Sequence, residues 1–161
     1  MVLAGLIAVA GCTGGSRGGG PYRQADAPIY SMAALDEAHL IGTWAQVGGY
    51  GGHGCAPGEV TIAGQPGALR IRYGLCLSGQ RVDAKGALLA RGPGRYAAPG
   101  LADDLWLLWM DEGARTAVFG TPSGSFGFVL NRGGALPGDR ARALREILAW
   151  NGYDPLALVL W

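Results

Sequence analysis

The sequence predicts an all-β fold, a barrel or a sandwich, with one helix near its end. Eight short apolar stretches follow one another between residues 43 and 131, and turns rich in Gly and Pro separate them. Short strands with turns at this regular spacing are typical of barrels and sandwiches. The 30 glycines follow no triplet period and fit a chain with many tight turns. The length of 161 residues fits one domain with a sizeable core.

The predicted strands are bounded by turn signals such as Gly64-Gln65-Pro66-Gly67 and Ser78-Gly79. Gly and Pro in these positions favour turns over continued strands. The eight ranges are residues 43–49, 59–63, 68–77, 81–90, 94–97, 104–110, 115–120 and 125–131.

One later segment, residues 136–151, has the periodicity of an amphipathic helix. Pro137 lies near its start and Gly152 follows its end, as expected at helix boundaries. Its apolar residues recur at three- and four-residue spacing: Ala141, Leu144, Ile147 and Leu148. Residues 156–161 are apolar throughout and predict a short closing strand. Residues 32–40 predict a helical turn ahead of the first strand.

Composition excludes several classes of protein. The 13 Lys and Arg residues nearly balance the 12 Asp and Glu residues, so no strong positive field is available for nucleic acid. A chain that is 49% hydrophobic and 16% charged is the reverse of a disordered one. No apolar run approaches the roughly 20 residues that a membrane-spanning helix needs.

The N-terminus resembles a bacterial lipoprotein signal. An apolar run over residues 1–10 is followed by Gly11 and Cys12, and Val9-Ala10-Gly11-Cys12 is similar to the lipobox, in which Cys12 would become the lipidated first residue. The signal peptide over residues 1–11 is apparently truncated, because no charged residue precedes Cys12. The alternative is an apolar N-terminus with an incidental Cys.

Residues 12–30 are interpreted as the lipidated Cys and a Gly-rich tether, since residues 13–28 contain five Gly and two Pro.

The three cysteines divide into one lipid attachment and one disulfide. If the lipid occupies Cys12, then Cys55 and Cys76 remain in an oxidising compartment, where two thiols most simply form a disulfide. There is no pair of His residues nearby to complete a zinc site, and no CxxC redox motif is present.

Four motifs in order resemble those of the lipocalins, over residue 35 to the end of the chain. They are LIGTW (residues 40–44), MDE with GTP (110–112 and 120–122), FVLNR (128–132), and LP followed by a helix and GYDP (136–137 and 152–155). The last resembles the C-terminal signature of bacterial lipocalin lipoproteins. The resemblance implies that residues 31–161 form an eight-stranded antiparallel up-and-down barrel with a C-terminal α-helix and a short final strand.

The resemblance also implies a structural floor for the barrel. Gly42 and Trp44 belong to the first motif, and Arg132 ends the third. A planar guanidinium stacks well on an indole face, so Arg132 is expected to cover Trp44 and close one end.

Alternation along the strands predicts the ligand contacts. With Trp44 and Arg132 inward, Tyr50, Phe126 and Phe128 share their parity and lie farther from the floor. Trp106 is the fourth candidate, in a strand that is apolar on both faces, where parity does not choose between Trp106 and Trp109. Plain core filling is the alternative for each of these aromatic residues.

The sequence predicts neither catalysis nor a metal site nor a cofactor. His39 and His53 have no Asp or Ser at a suggestive spacing. Ser123 and Ser125 belong to a predicted hairpin rather than to the strand–turn–helix of a nucleophile elbow. Gln46, which shares the parity of Trp44, is the one polar side chain placed inside the barrel, and an amide is a poor acid or base.

The expected function is that of a lipid-anchored envelope lipocalin that binds a small hydrophobic ligand, such as a fatty acid or a lysophospholipid. The expected location is the periplasmic face of the bacterial outer membrane, with the inner membrane as the alternative. The chain is expected to be a monomer that contacts the membrane through its lipid and does not bind nucleic acid. The alternative function is a structural or partner-binding envelope lipoprotein with a filled barrel.

Overall fold

The computed structural model describes residues 20–161. The predicted signal peptide and the predicted lipidation at Cys12 lie outside these residues. Within them the chain forms ten strands, one 3-10 helix and one α-helix. The 3-10 helix spans Glu37–Leu40, and the other elements are β1 (Gly42–Gly49), β2 (Glu59–Gln65), β3 (Ala68–Leu77), β4 (Gln80–Ala87), β5 (Leu89–Gly92), β6 (Arg95–Ala97), β7 (Leu105–Met110), β8 (Thr116–Gly120), β9 (Gly127–Asn131), α1 (Gly138–Trp150) and β10 (Val159–Leu160).

The strands form a nearly closed antiparallel barrel, which confirms the predicted fold class. The hydrogen-bonded order is β4-β3-β2-β1-β9-β8-β7-β6-β5, and β10 pairs with β1. Strands β4 and β5, at the two ends of this order, are separated along the chain by Leu88 alone. The predicted strand over residues 81–90 is therefore divided in two: β4 pairs with β3 and β5 pairs with β6. The barrel thus has nine strands where eight were predicted.

The hairpin between β3 and β4 shows how turn residues set the strand pairing. Ser78 and Gly79 have φ values of 50° and 76°, so both lie in the left-handed region. A two-residue turn with two positive φ values matches the right-handed twist of the flanking strands. The register is fixed accordingly, with Leu77 opposite Gln80.

The helix α1 lies against the outside of the barrel. It begins two residues later and ends one residue earlier than the predicted segment 136–151. Leu144 and Leu148 are fully buried, and Ile147 packs beside them. The chain then returns to the barrel as β10, whose Leu160 pairs with Gly48 of β1.

The apolar side chains form two cores. The interior cluster fills the barrel and includes Leu40, Trp44, Tyr73, Leu107 and Phe128. The helix-side cluster lies between the barrel wall and α1, and it includes Tyr50, Val118, Val129, Leu144, Leu148 and Tyr153. Among residues 20–161, no helix is both long enough and apolar enough to cross a membrane.

Candidate functional site

One end of the barrel is closed by Trp44 and Arg132. The guanidinium carbon of Arg132 lies 3.7 Å from the centroid of the Trp44 ring. The indole Nε1 of Trp44 donates to the carbonyl of Leu40 at 2.9 Å. Nη2 of Arg132 donates to the carbonyls of His39 and Ile41 at 2.9 and 2.8 Å. These contacts hold the 3-10 helix across this end of the barrel.

Gly42 lets the chain pass beside Arg132. Its φ of +130° is a backbone conformation that residues other than glycine rarely adopt. A Cβ at this position would lie 3.4 Å from Nη2 of Arg132. Burial lowers the pKa of the Arg132 guanidinium. Arginine nevertheless stays protonated in proteins, so the guanidinium keeps the charge that attracts it to the Trp44 ring.

The predicted contacts Phe126 and Phe128 lie in the interior cluster. Phe128 stacks on Phe119 with ring centroids 5.2 Å apart, and its centroid is 6.5 Å from that of Phe126. Phe126 is 9% exposed and Phe128 only 2%. These three rings line the half of the barrel away from Trp44, as the alternation in β9 predicts.

Tyr50 does not face the barrel interior, so its prediction as a ligand contact was wrong. Its ring lies in the helix-side cluster, 5.1 Å from Tyr22 and 5.4 Å from Tyr153. The pairing of β1 with β9 shifts between Gln46 and Gly48, where β1 carries an extra residue. Such a bulge reverses the faces of all later residues in the strand.

Trp106 also lies outside the barrel, which corrects its prediction as a ligand contact. It packs at the edge of the helix-side cluster, and the Arg95 guanidinium lies 4.0 Å from its ring centroid. Leu105 and Leu107 occupy the interior instead. A second register shift, between Leu107 and Trp109, brings Trp109 to the outer face as well.

The polar side chains of the interior already have partners. Oε1 of Gln46 accepts from the backbone N–H of Cys76 at 2.9 Å, and its Nε2 donates to the Cys76 carbonyl at 2.8 Å. The hydroxyls of Tyr73 and Tyr96 donate to the Pro99 carbonyl at 2.6 Å and to Glu37 at 2.9 Å. Since a buried polar group needs a partner, these side chains are not free to hold a ligand head group.

The opposite end of the barrel is covered by loops. Oδ2 of Asp103, between β6 and β7, accepts hydrogen bonds from the hydroxyls of Ser123 and Ser125, each at 2.6 Å. The hydroxyl of Ser78 donates to the carbonyl of Ser125, also at 2.6 Å. We call Ser78, Asp103, Ser123 and Ser125 the mouth latch. The sequence showed these residues only as turn formers, because their contacts join loops that are distant along the chain.

Four clefts open to the surface of residues 20–161. Their volumes range from about 390 to about 600 Å³, and none of the four is lined by Trp44 or by the interior phenylalanines. In contrast, Trp44, Leu107 and Phe128 of the interior cluster are 1%, 0% and 2% exposed. The barrel interior between residues 20 and 161 is therefore largely filled by its own side chains.

Cys55 and Cys76 form the predicted disulfide, with their Cα atoms 5.6 Å apart. The bond joins the loop between β1 and β2 to the end of β3. Over the residues that the structure describes, no group of three or more His, Cys, Asp or Glu residues is placed to hold a metal ion.

No family model matches the chain, and no curated protein matches it significantly. Several solved structures, in contrast, match the fold of the chain. Lobster apocrustacyanin A1 aligns with a TM-score of 0.58 and 14% identity over 83% of this chain and 88% of that protein. Apocrustacyanin C2 aligns with a TM-score of 0.58 and 15% identity over 78% of each chain. The cockroach allergen Per a 4 aligns with a TM-score of 0.56 and 8% identity over 78% of this chain and 87% of the allergen. The chain therefore has a lipocalin-like fold.

Proposed function

We propose that this protein is a lipid-anchored lipocalin of the bacterial envelope that binds a small apolar ligand inside its barrel. The observation that carries the proposal is the asymmetry of the two barrel ends. Trp44 and Arg132 close one end with a buried stack, whereas the other end is covered by loops that the mouth latch, the Cys55–Cys76 disulfide and the Tyr153 hydroxyl hold together. The interior of a barrel of about eight strands can either be filled by side chains or hold one small ligand, so these loops must separate and interior side chains must move to admit one.

The chemistry of the interior favours an acyl chain. Each buried methylene contributes about 0.8 kcal/mol, before the costs of immobilisation. The interior side chains are apolar or already hydrogen-bonded, so a polar head group would remain at the mouth. A fatty acid or a lysophospholipid-like molecule fits this division.

Uptake of such a ligand requires the filled interior to open. The observed affinity is then reduced by the fraction of molecules in the open state. We therefore expect weak and slow binding by the protein as isolated, and tighter binding when an interior side chain near the mouth is made smaller.

The direct test is titration with a fluorescent fatty acid. We expect Phe126→Ala to bind more tightly than the unmodified protein, because it removes a ring from the mouth half of the interior. Trp106→Phe, on the outer face, is the matched control and should leave binding unchanged. Saturable binding by neither the unmodified protein nor Phe126→Ala would refute the carrier function.

A filled barrel that binds no ligand is the second candidate function. The observation in its favour is the burial of large interior side chains: Trp44, Tyr96 and Phe128 are 1%, 1% and 2% exposed. Such a protein would act as a structural or partner-binding component of the envelope. Native mass spectrometry of protein purified from membranes distinguishes the two: a co-purified lipid supports the carrier, and an unliganded mass together with failed titrations supports the filled barrel.

The envelope location follows from the proposed anchor at Cys12. Acylation of Cys12 would hold the protein at the periplasmic face of the outer membrane. Mass spectrometry of membrane-extracted protein should show a diacylglyceryl group on Cys12. Detection of an unmodified Met1 would refute the anchor, and fractionation of the two membranes would separate outer from inner location.

A further inference from the structure

The two most exposed large apolar side chains among residues 20–161 lie at the same end of the barrel. Trp150, the last residue of α1, is 74% exposed, and Leu156 is 92% exposed. Between them, Tyr153 reaches the mouth: its hydroxyl donates to the carbonyls of Thr121 and Phe126 at 3.1 and 2.9 Å. We call Trp150 and Leu156 the mouth-side apolar pair.

The N-terminal segment reaches the same place. Gly20 donates a backbone hydrogen bond to the carbonyl of Ser123, in the mouth loop between β8 and β9. Arg23 is only 8% exposed, and it donates to the carbonyls of Asn151 at 2.8 Å and Pro122 at 3.0 Å. The start of the described chain is thus fastened between the mouth loop and the end of α1.

The length of chain ahead of Gly20 limits how far this end can lie from a lipid on Cys12. Eight residue steps separate Cys12 from Gly20. Each step spans at most about 3.5 Å, so the mouth loops would lie within about 28 Å of the anchor. The mouth end, rather than the end with Trp44 and Arg132, is thus the end at which the chain from the proposed anchor joins the barrel.

We propose that the mouth-side apolar pair lies in the membrane interface and directs the barrel mouth toward the bilayer. This inference rests on the proposed anchor at Cys12. Trp is favoured at the boundary between lipid and water, where its ring is partly apolar and its N–H stays hydrated. The charged side chains in residues 146–161 are Glu146 and Asp154, both exposed and acidic, so the contact is apolar rather than an attraction to anionic lipid.

The test uses acylated full-length protein on phosphatidylcholine vesicles whose acyl chains carry bromine, which quenches tryptophan at short range. Trp150 is one of five tryptophans. We expect a quenched component that Trp150→Phe removes and Leu156→Ser weakens. Leu89→Ser is the matched control, because Leu89 is also exposed, at 53%, but lies on β5; it should leave the quenching unchanged.

The outcomes separate this inference from the anchor. If mass spectrometry shows acylated Cys12 but Trp150→Phe quenches like the unmodified protein, the orientation is wrong and the anchor stands. If Cys12 carries no acyl group, the anchor fails and the inference fails with it. Replacing a third of the phosphatidylcholine by phosphatidylglycerol should not increase the quenching, and a strong increase would contradict an apolar contact.

Discussion

At the scale of single residues, a few buried polar contacts hold the ends of the barrel. Trp44 is 1% exposed, stacks with Arg132 and donates to Leu40. Asp111 has a comparable role in the turn between β7 and β8: its Oδ1 accepts from the backbone N–H groups of Arg115 and Thr116 at 2.6 and 2.5 Å. Both residues fix chain segments that would otherwise be free to separate.

Truncation of Trp44 should be strongly destabilising. Trp44→Ala removes a large buried ring, leaves a cavity and deprives Arg132 of its partner, so we expect a loss of about 3–5 kcal/mol in the free energy of unfolding. Urea denaturation followed by circular dichroism measures it. Trp106→Ala, at a half-buried outer position, should cost less. Equal losses in the two variants would argue against Trp44 as the floor of the barrel.

The Asp111 carboxylate should make stability depend on pH in the acidic range. Burial raises its pKa, but hydrogen bonds from Thr116 and Arg115 outweigh this, so the net pKa is lowered. The contribution is therefore fully present above the ordinary pKa of about 3.9 and is lost as the pH falls through the lower folded value. Asp111→Ala should cost about 1–3 kcal/mol at pH 7 and progressively less below pH 4.

Denaturant unfolding across this pH range provides the measurement for Asp111. Asp111→Asn is the control: it keeps one acceptor oxygen and removes the charge, so it should lose the acid dependence while keeping part of the stability. A penalty for Asp111→Ala that stays constant with pH would show that the charged form contributes nothing.

At the scale of elements, β1 depends on contacts beyond its own ladder. Its register with β9 shifts after Gln46, and the Gln46 amide pairs with both backbone groups of Cys76 in β3. Cys76 lies beyond the part of β3 that pairs with β2. The Gln46 side-chain amide thus forms the two hydrogen bonds with Cys76 that a backbone peptide of a longer β2 would form. The disulfide of Cys76 to Cys55 fastens the adjoining loop to the same strand.

Removal of this disulfide should weaken the mouth end without abolishing the barrel. The bridged residues are 21 positions apart, and loop closure over that length corresponds to about 3 kcal/mol in the chain-entropy model. We expect Cys55→Ser combined with Cys76→Ser to lower the free energy of unfolding by about 2–4 kcal/mol. Native non-reducing thiol labelling should leave both cysteines unreacted in the parent protein; rapid labelling of both would contradict the bond.

At the scale of the whole molecule, two different kinds of closure meet in one barrel. The Trp44 end combines a buried stack with backbone contacts, whereas the mouth is held by the mouth latch, the Cys55–Cys76 disulfide and the Tyr153 hydroxyl. Because the mouth latch consists of exposed or partly exposed side-chain hydrogen bonds, its loops are the part of the barrel expected to open first. Ligand uptake and contact with a membrane would then use the same end.

Loss of the mouth latch should increase loop opening and leave the barrel intact. Asp103→Ala removes two hydrogen bonds to a charged acceptor, each contributing about 1.5–3 kcal/mol. We expect amide hydrogen exchange in residues 121–126 to accelerate by at least about tenfold, with little change in β2 and β3. Asp104→Ala is the matched control, because no side-chain hydrogen bond of Asp104 is found in the described chain; uniform acceleration across the barrel would contradict a local latch.

Local sequence patterns predicted most of the strands and the helix, and the resemblance to the lipocalins implied the closed end of the barrel. Short apolar runs and turn residues act locally, and the buried stripe of Leu144 and Leu148 follows from helical spacing. The positions of Phe126 and Phe128 followed from simple alternation, because β9 runs without a bulge from Gly127 to Asn131 against β8. The disulfide followed from counting cysteines.

The outward positions of Tyr50 and Trp106 and the closure of the mouth depend on contacts between strands and loops that are distant along the chain. Tyr50 and Trp106 lie outside because strand register is a property of paired strands, and a bulge at one residue reverses every face after it. The break at Leu88 likewise depends on the change of partner from β3 to β6. The mouth latch joins Ser78, Asp103 and Ser125 across three loops, and contacts between segments far apart in sequence leave no periodic pattern in any one of them.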